Sequence, residues 1–375
     1  MFIEEVTNIQ VVDNIEHETK GYDFSTLNAI STCPFYGITR FIHNKVFDDS
    51  ARNMALECGD LCHKCFAAYR ALSIYYRSEK ENNYMLKKIG INYLNNLFYE
   101  NVNGEIDLDG IDEITNSLFI EAKNKAGMLA KYLLFSDWIV DNSGYYEDPE
   151  DKKRTIVNIK DSLMAYCSNF LNIIEDEPVW IEDETDPDTK IGIEIPFDVT
   201  VKITYIANGA EHTQNVHFIG KLDGIHVRKI DNTLIVHENK TASRLDDAWS
   251  GQWFKSHQIT GYCLAASYFT GQNCLQARVL GMQIPVPKYS GYAFRTERVD
   301  RDTFYFSDWA RWILSTIEVV EEYKDHPEKA PMNTHACCKY YKQCAFVPLC
   351  CVNEEERINI MEKEMVTQEW SPLDE

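Results

Sequence analysis

"VHFIGKLDGIHVRK", Val216 to Lys229, and "NTLIVHENK", Asn232 to Lys240, decide how this chain is read. Both runs are rich in apolar and β-branched residues and read as successive strands. Both also carry charge: Asp223 in the first, Glu238 and Lys240 at the end of the second. Side chains alternate along a strand, so Glu238 and Lys240 point to the same side. Adjacent strands bring Asp223 towards Glu238, at a strand end where open sheets build their sites.

Working outward, "IGIEIPFDVTVKITYI" (191–206) reads as a further strand, with Asn208-Gly209 as a turn signal behind it. Residues 244–270 return to helical spacing. "QARVLGMQIPV" and "GYAFRTERV" read as two more strands, and residues 301–325 as an amphipathic helix. Upstream, residues 1–20 give weak strand signals. A cap-like start at Ser25 opens a short helix interrupted around Pro34, and residues 51–79 form a long helix. Residues 81–176 are mostly helical, and the acidic "EDETDPDTK" (182–190) reads as a turn. The order predicts an α/β fold, a mixed central sheet flanked by helices with a helical insertion. The expected segments are 1–80, 81–176 (insertion), 177–330 (core), 331–352 (cysteine-rich) and 353–375 (acidic tail).

The chain of 375 residues is 45% hydrophobic, enough for a substantial core. No apolar run approaches membrane-spanning length, and "MFIEEVTNIQ" lacks the basic and apolar regions of a secretory signal. A cytoplasmic location is the expectation, with no membrane partner. The net charge of -22 is concentrated in residues 100–150, 175–190 and 353–375. Residues 276–301 run the other way, with Arg278, Lys288, Arg295, Arg298 and Arg301 against Glu297 and Asp300. That stretch, with the basic cysteine loop, is the expected path for a phosphate backbone.

Two carboxylates and water suit a hard divalent cation such as Mg²⁺ or Mn²⁺, and Lys240 is placed to offset charge on a phosphate. The bland alternative is a structural ion pair. The wider pattern is Gly59-x-x-x-His63, Glu194 on an early strand, Gly220-x-x-Asp223-Gly224, Glu238-x-Lys240 and Gln258-x-x-x-Tyr262. It resembles the PD-(D/E)xK nuclease superfamily, and within it the RecB-like exonucleases. The resemblance implies a restriction-endonuclease-like core, with Asp223, Glu238 and His63 as metal ligands and Lys240 as the catalytic lysine. It also implies that Gln258 and Tyr262, one helical turn apart, face the DNA. In this chain Asp223 is followed by Gly rather than preceded by Pro, a departure from that branch.

Twelve cysteines without a secretory signal point to metal ligation or buried thiols rather than disulfides. Cys58, Cys62 and Cys65 beside His63 offer a zinc option but read as helix-packing thiols. "CCKYYKQCAFVPLCC" holds five cysteines from Cys337 to Cys351, and Cys33 lies far upstream. This arrangement resembles the iron–sulfur staple of AddB-type nucleases and CRISPR-associated RecB-like exonucleases. The resemblance implies a [4Fe–4S] cluster on Cys33, Cys338, Cys344 and Cys350. A zinc ion on the same thiolates is the alternative, and either doublet, Cys337/Cys338 or Cys350/Cys351, leaves its ligand open. The expected function is a metal-dependent DNA exonuclease in recombination, repair or processing. It would act on single strands or duplex ends, with a possible recombination or CRISPR partner protein. The rival is a non-catalytic DNA-binding or assembly protein that keeps the fold.

Overall fold

The structure, a computed structural model, describes residues 2–13, 21–47, 54–81, 125–170, 176–183, 186–288, 291–337, 343–369, 371 and 373. It is a mixed α/β fold around a seven-stranded, mostly antiparallel sheet. The sheet strands are β1 (Glu5–Asp13), β3 (Asp176–Pro178), β6 (Ile193–Ala207), β7 (Ala210–Arg228), β8 (Leu234–Ala242), β9 (Gln276–Gln283) and β10 (Phe294–Asp300). They run in the order β1-β6-β7-β8-β9-β10, with β3 paired onto β7. The expected strands are present, and Asn208-Gly209 turns the β6–β7 hairpin with both residues at positive φ, 52° and 70°. A two-residue hairpin turn of the primed kind demands that conformation. β8 and β9 are parallel, so the chain crosses over between them through helices.

The contacts divide the chain into two compact units. The first comprises residues 1–52, 196–221 and 301–375. Here β1 lies antiparallel to β6, Val11 opposite Val201. Helix α1 (Phe24–Thr32) is capped by Asp23, whose carboxylate accepts the Ser25 and Thr26 amides at 2.6 and 3.1 Å. It breaks at Cys33 because Pro34 cannot donate and pushes its predecessor out of helical geometry. Helix α2 (Pro34–Gly37) restarts there. The expected interruption is thus real, and it turns the Cys33 position out of the helix. The segment read as an acidic tail carries ordered elements that sequence reading missed. One is a strand, Met365–Thr367, paired with β2 (Lys45–Phe47). The other is a helix, Glu354–Lys363, with Glu354, Glu355 and Glu356 in its first turn, where the helix dipole favours acids.

The second unit comprises residues 53–195 and 222–300. Helices α3 (Met54–Glu81), α4 (Lys125–Asn142) and α5 (Ile156–Phe170) share a core that includes Leu61, Phe66, Tyr69, Phe135, Leu163 and Tyr166. Cys58, Cys62, Cys65 and Cys167 are buried within it, as packing thiols. Residues 82–124 of the expected insertion lie outside the described residues. β4 (Trp180–Asp183) and β5 (Asp186–Ile191) pair antiparallel where the acidic turn was expected. Density of acids masked a two-stranded ribbon. β8 is buried without alternation from Leu234 to Asn239, as befits a strand covered on both faces. Short helix α6 (Asp247–Gly251) and helix α7 (His257–Thr270), which opens on Ser256 as N-cap, fill the β8–β9 crossover. No helix among the described residues is long and apolar enough to cross a membrane.

Candidate metal site

The β7–β8 register sets Gly224 opposite His237, so Asp223 and Glu238 oppose each other one step further along. Both carboxylates are buried, Glu238 at 1% exposure. A charge at that depth demands partners. Asp223 Oδ2 accepts the Asn239 amide at 2.5 Å, and its Oδ1 lies 3.3 Å from Nδ1 of His63, which α3 delivers. Glu194 enters from the second residue of β6 with φ at 48°, left-handed backbone that costs a non-glycine residue about 1–2 kcal/mol. His63, Glu194 and Asp223 each present a ligand atom within 4.8 Å of the others, a spacing found for no other such trio among the described residues.

Glu238 sits beside them in a different role. Its Oε1 is 2.5 Å from Lys240 Nζ and accepts from Gln258 Nε2 at 3.0 Å. Gln258 in turn lies 3.1 Å from the Tyr262 hydroxyl, so the two α7 residues meet the site as their spacing implies. Glu238 Oε2 is buried without a hydrogen-bond partner among the described residues. An orphan carboxylate oxygen costs about 1–3 kcal/mol unless something positive meets it.

The electrostatics follow from this crowding. Burial opposes the His63 imidazolium, but the Asp223 and Glu194 carboxylates outweigh it and raise the pKa to about 9. Burial likewise opposes the Asp223 carboxylate, yet His63, Lys240 and the Asn239 amide hold it well below the usual range. Burial first and the Asp223 charge second push Glu238 up to about 7, against the pull of Lys240. Lys240 stays an ammonium: burial disfavours it, but Glu238 and Asp223 raise its pKa. Three acids and an imidazole in one partly buried place, with an unmatched oxygen, fit a hard divalent cation such as Mg²⁺ or Mn²⁺.

Sequence reading named His63, Asp223, Glu238, Lys240, Gln258 and Tyr262, and the fold gathers all six. It left Glu194 without a firm role, whereas the geometry groups it with His63 and Asp223. It missed Arg70 and Asn239, which support Asp223 from behind. The signal was available for Arg70, two helical turns beyond His63 on the same face.

The basic stretch 276–301 fares differently. Arg278 is buried and paired with Asp176. Arg295 is held by Asp247 and Glu297 at 3.2 and 2.8 Å. Arg301 is buried. Lys288 and Arg298 are exposed. Most of the charge expected to line a phosphate path is spent internally.

In the first unit, Cys33, Cys344 and Cys350 are half-buried free thiols. Cys338, the expected fourth member, lies outside the described residues; its neighbour Cys337 is a half-buried free thiol as well. Burial, then the charges of Cys337, Cys33 and Cys344, push Cys350 up to about 11. Backbone contacts knit the group: the Cys344 amide donates to the Cys337 carbonyl at 2.7 Å, and the Asn333 amide to Cys33 Sγ at 3.4 Å. Against known proteins, no family model matches this chain and no curated protein matches it.

Proposed function

We propose that the chain is a metal-dependent deoxyribonuclease, an exonuclease with a restriction-endonuclease-like core that hydrolyses phosphodiester bonds at DNA ends. The observation that carries this reading is the convergence of His63, Glu194, Asp223, Glu238 and Lys240 about the buried carboxylates of β7 and β8. His63, Glu194 and Asp223 are the residues that would hold Mg²⁺ or Mn²⁺, with Glu238 Oε2 facing the same need for positive charge. A bound ion of this kind supplies Lewis acidity at a phosphoryl oxygen and lowers the pKa of a water it holds. Lys240, kept as an ammonium by Glu238, offsets charge developing on the phosphate. Gln258 fixes Glu238 Oε1, and Tyr262 fixes Gln258, so the carboxylate is oriented before substrate arrives.

A second part of the proposal concerns the thiols. Cys33, Cys337, Cys344 and Cys350 would carry a [4Fe–4S] cluster, with Zn²⁺ as the rival occupant, in a structural role that adds folding energy. Their mutual effect on Cys350 supports the grouping.

The test is release of label from end-labelled linear DNA with Mg²⁺ or Mn²⁺, beside closed circular DNA of the same sequence. Loss of label from the linear substrate alone is expected. Cutting of the circle would replace exonuclease by endonuclease, and binding of DNA without any cutting would leave the non-catalytic rival standing.

A further inference from the structure

Behind the carboxylates lies a buried cation to which the proposed function gives no part. Arg70 is fully buried, a rare position for a guanidinium. Its NH1 donates to the Asp223 main-chain carbonyl at 2.9 Å, and its NH2 to Asn239 Oδ1 at 3.0 Å. The Tyr166 hydroxyl of α5 donates to the same Asn239 oxygen at 3.1 Å. The Asn239 amide closes the circuit on the Asp223 carboxylate at 2.5 Å. Asp223 is therefore gripped twice, at its carbonyl by Arg70 and at its carboxylate by a residue that Arg70 also holds.

Both acceptors of Arg70 are neutral. Burying a full charge against neutral groups is a poor way to stabilise a core, since an apolar side chain of similar length serves as well or better. The arrangement makes sense as geometry. Arg70 and His63 ride on the same helix, two turns apart, while Asp223 and Asn239 belong to the adjacent strands β7 and β8. The planar guanidinium fork fixes two directions at once, which an ammonium does not. We infer that Arg70 is a positioning residue: through Asn239 and the Asp223 carbonyl it sets α3 against β7 and β8, so that His63 and Asp223 meet a divalent cation together. The inference rests on the metal reading proposed above.

Mn²⁺ binding to the full chain, measured by calorimetry without DNA, tests it. The parent should bind Mn²⁺; a parent that does not bind overturns the metal reading itself and this inference with it. Arg70→Met should weaken Mn²⁺ affinity by about 10- to 100-fold, the usual cost of losing a group that orients a ligand. Arg70→Lys should recover only part of the loss. Leu163→Ala, in the same helical core but with no polar group to offer the ion, should lower the melting temperature and leave Mn²⁺ affinity as it was. Equal Mn²⁺ affinity in the parent and Arg70→Met overturns the inference, as does an equal loss in Leu163→Ala. If Arg70→Met does not fold, Asn239→Ala takes its place. That variant keeps the amide donated to Asp223 but removes the oxygen shared by Arg70 and Tyr166. It too should weaken Mn²⁺ affinity, and unchanged affinity overturns the inference.

Discussion

The two chemically marked regions of the molecule, the acidic site on β7 and β8 and the cysteine group, are built on different principles. At the acidic site the ligand atoms of His63, Glu194 and Asp223 already lie within 4.8 Å of one another. Regular elements do this: the helix α3 brings His63, β6 brings Glu194, and the β7–β8 register, with Gly224 opposite His237, brings Asp223 and Glu238 to the same place. The cysteines come from opposite ends of the sequence, and only Cys337, Cys344 and Cys350 are near one another along the chain. Their arrangement depends on a turn at Cys33–Pro34, on Asn333, and on contacts between α2 and the segment that leads to the C-terminal cysteines, such as the Phe35 amide on the Pro331 carbonyl at 3.1 Å. A site set by register survives the loss of its ligand. A site set by loops draws more of its order from the ligand.

The comparison breaks most visibly at the carboxylates. Asp223→Ala and Glu238→Ala should each lower DNA cleavage by at least about 100-fold, because the charge-stabilising set is incomplete without either. Circular dichroism of both variants should match the parent, since the register does not depend on them. Folded Glu238→Ala protein that cuts DNA at the parental rate would remove Glu238 from the chemistry.

The cysteine side gives the second test. Anaerobically prepared protein should contain iron and sulfide, and Cys344→Ala should lose both and melt lower by several degrees. Mn²⁺ affinity at the acidic site should stay at the parental value, because the two regions fall in separate compact units. Zinc in place of iron would change the occupant but keep the grouping. Parental metal content and melting in Cys344→Ala would dissolve the group.

How far the sequence revealed this depends on the distance over which each signal acts. Glu238 and Lys240 are two residues apart on one strand, and Gln258 and Tyr262 one turn apart on one helix, so their convergence was legible. The β6–β7 hairpin was legible because Asn208-Gly209 specifies its turn. Arg70 shares a helix face with His63, but its role was hidden because its partners are a main-chain carbonyl and an asparagine, and neither leaves a mark in composition. The basic stretch 276–301 was misleading for the same kind of reason. Charge counts do not show that Arg278 is answered by Asp176, about a hundred residues upstream, or Arg295 by Asp247. The acidic end of the chain hid its strand because pairing with Lys45–Phe47 is a contact across most of the sequence.

Glu194 offers a finer cut. Its φ of 48° is a strained conformation at the start of a strand, the kind of strain that persists where a side chain is needed. Glu194→Gly removes the carboxylate and the strain together. Mn²⁺ affinity should fall by about 10-fold or more. Stability in the absence of metal should stay level or rise by no more than about 1 kcal/mol, since glycine accepts the backbone but loses more entropy on folding. A drop in stability with unchanged Mn²⁺ affinity would make Glu194 a structural acid and return the ligand set to His63, Asp223 and Glu238.

The smallest expected effect concerns Gly59, one helical turn before His63. The family resemblance begins at this glycine, yet the helix does not require it. A Cβ at position 59 would meet only Thr241 Oγ1, at an ordinary 3.7 Å. Gly281 is the contrast: a Cβ there would press to 2.6 Å on the Trp249 ring. Glycine inside a helix costs about 0.5–1 kcal/mol relative to alanine. Gly59→Ala should therefore raise stability by about that amount in urea denaturation and leave Mn²⁺ affinity unchanged, while Gly281→Ala should destabilise. Cleavage decides what the space is for. If Gly59→Ala is more stable, binds Mn²⁺ normally and still cuts DNA several-fold more slowly, the open surface beside His63 is where the substrate strand passes. If cleavage also stays at the parental rate, Gly59 plays no part, and the recognisable pattern of this site begins at His63.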